Sequence, residues 1–241
     1  VSQISKDQIH QVLSNRYPSI DFVFLYGSVQ RGTATELSDV DCIVLTKDTI
    51  RPYRECFTDS RGAFDVYVFD PESLNAAMRR SSEAGELMLI QAVASAEALP
   101  TANETSEKLI EIARGLSAIP FQPSPSTLRV LRKTLTSVLD DLTVEITGFE
   151  RTLRMIELMM AIAQSRMILL GGGNRSFRYI ARVLSAHNQA STAQLDAAFQ
   201  EAIGGNQQLL VDLGLKILDT LGGPFREDHK IPLPELPRIA L

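Results

Sequence analysis

Apolar positions recur at helical spacing over residues 5–17, where Ile9, Val12 and Leu13 share one face, and Pro18 ends the pattern. The period then changes. Phe22 to Tyr26 is a continuous apolar run closed by Gly27, as in a buried strand. Residues 27–38 are small and polar. Val40 to Leu45 predicts a second strand, and Gly62 to Phe69 a third, closed by Asp70-Pro71. Between them residues 49–57 predict a short helix. Helical patterns follow at 72–80, 84–98 and 104–118. The segment from Ile119 to Pro125 holds three prolines in seven residues and cannot continue a helix, so the linker falls there. From Ser126 onward only helical periodicity remains, with expected spans 126–148, 150–170, 174–187, 192–203 and 206–221. The tail from Gly222, with four prolines, is expected to lie extended on the surface. No internal repeat is visible. The fold class is therefore α+β: a small mixed-sheet domain over residues 1–119, then an all-helical bundle over 126–241.

Composition narrows this picture. At 241 residues, 44% hydrophobic and 22% charged, the chain can bury a sizeable core and is not disordered as a whole. Net charge is −5, and it is uneven: residues 1–119 carry 11 basic and 17 acidic side chains, residues 120–241 carry 13 and 12. A net acidic chain argues against non-specific binding of long nucleic acid. Two cysteines, Cys42 and Cys56, make no disulfide framework, and His10, His187 and His229 are too far apart for zinc spacing. No charged stretch followed by an apolar one opens the sequence. The most apolar helical stretch, Leu153 to Leu170, is interrupted by Arg154, Glu157 and Arg166. The expectation is a soluble cytoplasmic protein with no membrane partner.

The chemistry concentrates in residues 27–44. Asp39 and Asp41 stand two apart at the start of a strand, so both carboxylates point the same way. Adjacent like charges raise each other's cost of ionisation, and a hard divalent cation such as Mg²⁺ removes that cost. Gly27-Ser28 follows a strand directly, where a glycine permits a tight turn and close approach of a ligand. A helix starting at Ser28 would add free N–H groups facing an anion. Asp65 interrupts an otherwise apolar strand, and a buried charge is costly unless paired or metal-bound. If that strand lies beside the second, three carboxylates can hold two metals about 3.5–4 Å apart for in-line attack.

This pattern resembles the polymerase-β-type nucleotidyltransferase superfamily, whose signature is Gly-Ser, a short spacer, Asp-x-Asp, and a third carboxylate on a later strand. Gly27, Ser28, Asp39, Asp41 and Asp65 match it position for position, and Arg31-Gly32 and Ser38 match the form common in small bacterial members. The resemblance covers residues 22–69. It implies a nucleotidyltransferase domain that moves a nucleoside monophosphate from a triphosphate, with ATP the expected one, to a hydroxyl, releasing pyrophosphate. It also implies two Mg²⁺ ions on Asp39, Asp41 and Asp65, and a nucleotide contacted by Gly27, Ser28, Arg31 and Ser38. Asp65 would complete the metal site and take the proton of the attacking hydroxyl. The two-part architecture is similar to that of antibiotic nucleotidyltransferases acting on aminoglycosides or lincosamides. That likeness implies a small-molecule acceptor selected by the helical part, with a homodimer left open. Nucleotidylation of a protein side chain and a catalytically silent nucleotide-binding scaffold stand as alternatives.

Other features have plainer structural readings beside functional ones. Arg31 could pair with Glu36 instead of a triphosphate. Asp65 could face water from an edge strand. Arg175, Arg178 and Arg182 share one helix face and read first as solvated. Gly171 to Gly173 with Asn174 reads as a helix stop and restart, and Met155, Met159 and Met160 as core. Glu86, Glu145, Glu150 and Glu157 are the remaining candidate proton acceptors.

Overall fold

The computed structural model describes residues 4–47, 51–144, 147–173 and 177–226. Its contacts divide the chain into two compact units. The first is Val1–Pro123 with Met167–Ile180, and the second is Ser124–Arg166 with Ala181–Leu241. The proline-rich segment thus lies at one boundary, and the glycine run at 171–173, read with the helical half in the sequence, groups with the first unit.

The first unit opens with α1 (Lys6–Arg16), started by a capping box in which the Ser5 hydroxyl accepts from the Gln8 N–H and Gln8 answers to the Ser5 N–H. The strands β1 (Ile20–Tyr26), β2 (Val40–Thr46), β3 (Tyr53–Asp59), β4 (Gly62–Phe69) and β5 (Glu97–Leu99) form one mixed sheet in the order β3-β4-β2-β1-β5. Only β2 and β4 run parallel; the other neighbours are antiparallel. One sheet face buries Val23, Leu25, Val40, Cys42, Val44, Phe64, Val66 and Val68 against Ile9, Val12 and Leu13 of α1. The other buries Phe22, Phe24, Ile43, Leu45 and Phe69 against α3 (Pro71–Ala84), α4 (Met88–Ala94) and α5 (Glu104–Ala118). Both faces are covered, which is why β1 and β2 read as continuous apolar runs rather than alternating ones.

Two local expectations are corrected. Residues 49–57 do not form a helix, since Tyr53–Asp59 is the edge strand β3. Its side chains alternate: Phe57 stacks on Phe64 at 5.0 Å between centroids on one face, while Arg54 and Cys56 occupy the other. Tyr, Phe and Thr suit a half-buried edge, and pairing with β4 overrides the weak helical period. The helix expected over 84–98 stops at Ala94, because Ala98 and Leu99 pair with Phe24 and Val23 of β1. Residues 27–38 hold a single helical turn, α2 (Gly27–Gln30).

The second unit is built from α6 (Pro125–Asp141), α7 (Gly148–Leu169), α8 (Phe177–His187), α9 (Gln189–Ile203) and α10 (Gln208–Thr220), with α7 and α8 each continuing across a unit boundary. No strand occurs among its described residues. Leu131, Leu135, Met155, Leu158, Ile162, Leu195, Leu210 and Leu213 are buried. The helix expected over 126–148 ends at Asp141. The stretch after Gly222 is not purely superficial: Phe225 is buried, its N–H donates to the Thr136 hydroxyl at 2.9 Å, and Arg226 forks onto Asp140 at 2.6 and 2.8 Å. Most of the proline-bearing tail, including His229, lies outside the described residues.

Candidate functional site

Register decides which side chains meet. In the sheet, Tyr26 on β1 stands opposite Asp41 on β2, Asp41 opposite Asp65 on β4, and Asp65 opposite Cys56 on β3. Partners in register share a face, so these four form one row across the sheet, on the side covered by α3–α5. The next row on that face is Phe24, Ile43, Tyr67 and Arg54. The apolar core therefore ends in two half-buried tyrosines, and the carboxylates begin where it stops. Asp39, exposed just before β2, joins them: a carboxylate oxygen from each of Asp39, Asp41 and Asp65 lies within 4.8 Å of the others. Asp65 is on the strand next to the edge, not on the edge.

Gly27 sits at the same point. Its φ of +77° lies in the left-handed region, and a Cβ there would come 2.0 Å from Asp41 Oδ2. Only glycine lets the chain leave β1 and pass directly against the Asp41 carboxylate. Ser28 lies in α2, and its carbonyl accepts from the Thr33 N–H at 2.9 Å. The Ser38 hydroxyl accepts from the Thr35 N–H at 2.9 Å and so shapes the turn before Asp39. Arg31 is exposed, and among the described residues no ion pair joins it to Glu36.

The three acids are not electrostatically equivalent. Asp41 is pushed up to about 6, by burial first, then by Asp39 and Asp65, with Arg31 and Arg54 pulling the other way. Asp65 is held below the usual carboxylate range, because Arg54 forks onto it: Nε donates to Oδ1 at 2.7 Å and Nη2 to Oδ2 at 2.6 Å. The Cys56 thiol adds a contact to Oδ1 at 3.5 Å. The triad thus holds one paired acid, Asp65, beside Asp39 and Asp41, which have no such partner among the described hydrogen bonds and ion pairs. Burial, followed by the Asp41 charge, raises the Tyr26 hydroxyl. Three hard oxygen donors this close fit a divalent cation of the Mg²⁺ type, and Asp39, Asp41 and Asp65 are the residues that could hold one.

Arg54, Tyr67, Tyr26 and Cys56 are the members of this site that the sequence did not reveal. The only sequence signal for the strand that carries Arg54 and Cys56 is its β-favouring Tyr53, Phe57 and Thr58, and a helical reading of 49–57 scatters them. Of the other acids, Glu86 is exposed, while Glu150 and Glu157 belong to the second unit, where Glu157 accepts from Arg154 at 3.0 Å. Glu145 and Arg175 lie outside the described residues, and Arg182 is exposed. Gly171–Gly173 ends α7 and packs on the first unit's own loops, with the Gly171 carbonyl accepting from the Phe121 N–H at 2.8 Å.

A small mixed sheet thus gathers Asp-x-Asp and a third aspartate beside a Gly-Ser turn. Residues 7–66 match the family described as Polymerase beta, Nucleotidyltransferase, a match that supports nucleotidyl transfer as the class of chemistry of that segment. Among solved structures, a nucleotidyltransferase-like protein from Exiguobacterium sibiricum 255-15 is similar at 12% identity and a TM-score of 0.46, over 90% of this chain and 73% of that one. None of the curated proteins compared with the chain matches it. No helix among the described residues is long and apolar enough to cross a membrane.

Proposed function

We propose that the protein is a Mg²⁺-dependent nucleotidyltransferase that moves a nucleoside monophosphate, from ATP in the first instance, to a hydroxyl of a small-molecule acceptor. The observation that carries this reading is the meeting of Asp39, Asp41 and Asp65 at the Gly27 turn, inside the segment that matches the family. Asp39 and Asp41 would hold the cation from one strand and its preceding residue, with Asp65 facing them from the parallel neighbour. Gly27, Ser28, Arg31 and Ser38 flank the triphosphate, a role that rests on the family resemblance. Bound Mg²⁺ would supply charge neutralisation at the phosphates and acidify the acceptor hydroxyl. The hydroxyl oxygen attacks the α-phosphorus, and the bond from that phosphorus to the bridging oxygen breaks. Pyrophosphate leaves, and Asp65 takes the hydroxyl proton. The residue domains proposed for these tasks are 1–119 for nucleotidyl transfer and 126–241 for the acceptor.

The test is pyrophosphate release from each of the four triphosphates with Mg²⁺ and a panel of hydroxylated acceptors, aminoglycosides and lincosamides first, with product mass as the second readout. An adduct heavier by one nucleoside monophosphate less a water, lost in Asp41→Asn, supports the proposal. Triphosphate binding with no turnover on any acceptor, including the protein's own side chains, would favour a silent nucleotide-binding protein.

A further inference from the structure

The bidentate pair between Arg54 and Asp65 is unaccounted for in that mechanism, and it bears on how the site is loaded. Both oxygens of Asp65 are engaged at 2.6–2.7 Å, and Oδ1 also receives the Cys56 thiol. Asp65 is the least accessible partner of the pair, its side chain 13% exposed against 54% for Arg54. A carboxylate held fork to fork by a guanidinium is a poor ligand for a hard cation. The shared oxygens are already donating charge, and the guanidinium places a positive charge beside the incoming one. Asp39 and Asp41 have no comparable partner among the described hydrogen bonds and ion pairs. Arg54 also stands on β3, the edge strand, with its Cζ 5.3 Å from the centre of the Tyr67 ring. Among the described residues no strand lies beyond it, so the side chain can turn away without disturbing the sheet.

We propose that Arg54 is a positioning residue that occupies Asp65 in the cation-free protein and competes with the divalent cation for it, so that Asp39 and Asp41 take the cation first and Asp65 joins only when the guanidinium is displaced. This rests on the reading of the triad as a cation site. The pair keeps Asp65 oriented and neutralised while the site is empty, and it makes the substrate-free protein a weak binder of cation. A displaced Arg54 stays within reach of the same face, where its fork suits a phosphate oxygen as well as it suits a carboxylate.

The experiment measures Mn²⁺ binding without nucleotide, by titration calorimetry and by the loss of the free-ion spin-resonance signal, in the wild type and in Arg54→Gln, Arg54→Lys, Asp41→Asn and the double variant Arg54→Gln/Asp65→Asn. Melting in chelator first shows that each is folded. Arg54→Gln should bind Mn²⁺ about tenfold more tightly, the change expected when a unit charge about 6 Å from a divalent ion is removed at water-like screening. Arg54→Lys keeps the charge and should restore at least part of the weak wild-type affinity, and the double variant should lose the gain. Triad-dependent binding that is unchanged or weaker in a folded Arg54→Gln overturns the role of Arg54 alone. Binding that Asp41→Asn leaves untouched overturns the cation site itself, and with it the function proposed above.

Discussion

Asp41→Asn should stabilise the cation-free protein at neutral pH, although it removes a residue proposed to be essential. The wild-type carboxyl is pushed from an ordinary 3.8 up to about 6, by burial beside Tyr26 and by the charges of Asp39 and Asp65. A shift of that size corresponds to about 3 kcal/mol. The exposed Asp39 flank lets water screen part of it, so roughly 1–2 kcal/mol is expected. The sign follows from linkage: a group whose folded value is raised adds stability that is fully present below the unfolded value and is lost as pH rises through the folded one. At pH 7.5 the wild type therefore lacks this stability, while a neutral asparagine of the same size does not suffer the loss and still fits beneath Gly27. With about 2–4 °C per kcal/mol for a protein this size, the variant should melt roughly 2–8 °C higher in chelator. The gain should shrink by more than half at about pH 4.5, where the wild-type carboxyl is protonated in the fold. Differential scanning fluorimetry at both pH values checks this. A lower melting temperature for the variant at pH 7.5, or a gain that does not change with pH, would refute the placement of Asp41 among like charges.

Gly27→Ala should cost roughly 1–3 kcal/mol in chemical denaturation, from the +77° φ and from a Cβ that meets Asp41 Oδ2, and it should abolish Mn²⁺ binding because Asp41 must move. Mn²⁺ affinity in the wild type should fall as pH drops through about 6, since protons compete for Asp41; calorimetry between pH 7.5 and 5 reads this directly. Asp65→Asn should lower pyrophosphate release by on the order of 10²–10⁴, while triphosphate affinity measured by equilibrium dialysis largely persists through Asp39 and Asp41. Near-normal release by a folded Asp65→Asn would take Asp65 out of the reaction.

The acidic cluster at the Gly27 turn is largely local in sequence, which is why its members stand out there. Gly27, Ser28, Asp39 and Asp41 lie on one strand–turn–strand unit, and the period of two in Asp39-Val40-Asp41 already sets both carboxylates on one face. Asp65 required one further inference, that its strand pairs beside β2, and the parallel register of Asp41 with Asp65 supplies it. What sequence could not show is non-local. Arg54 reaches Asp65 diagonally on the neighbouring strand, and β3 itself forms because β4 offers it a partner, not because Tyr53–Asp59 has a strong intrinsic period. The three residues of β5 fail for the same reason: Glu97-Ala98-Leu99 carry no strand signal until Phe24 and Val23 stand beside them. Phe225 gave no sign of its burial, since a lone aromatic in a proline-bearing tail has no periodicity to place it. In each case tertiary pairing decides what local propensity leaves open.

Under the proposed function, three carboxylates and a triphosphate come together through a divalent cation. This is tested most directly by melting the wild-type protein with ATP alone, Mg²⁺ alone and both. Without the cation the acids repel the triphosphate. With it, a ligand at a hundredfold excess over its Kd should add about 2.7 kcal/mol of stability. The shift with ATP and Mg²⁺ together should clearly exceed the sum of the separate shifts, and Asp41→Asn should remove it. Equal shifts by ATP with and without Mg²⁺ would contradict the proposal.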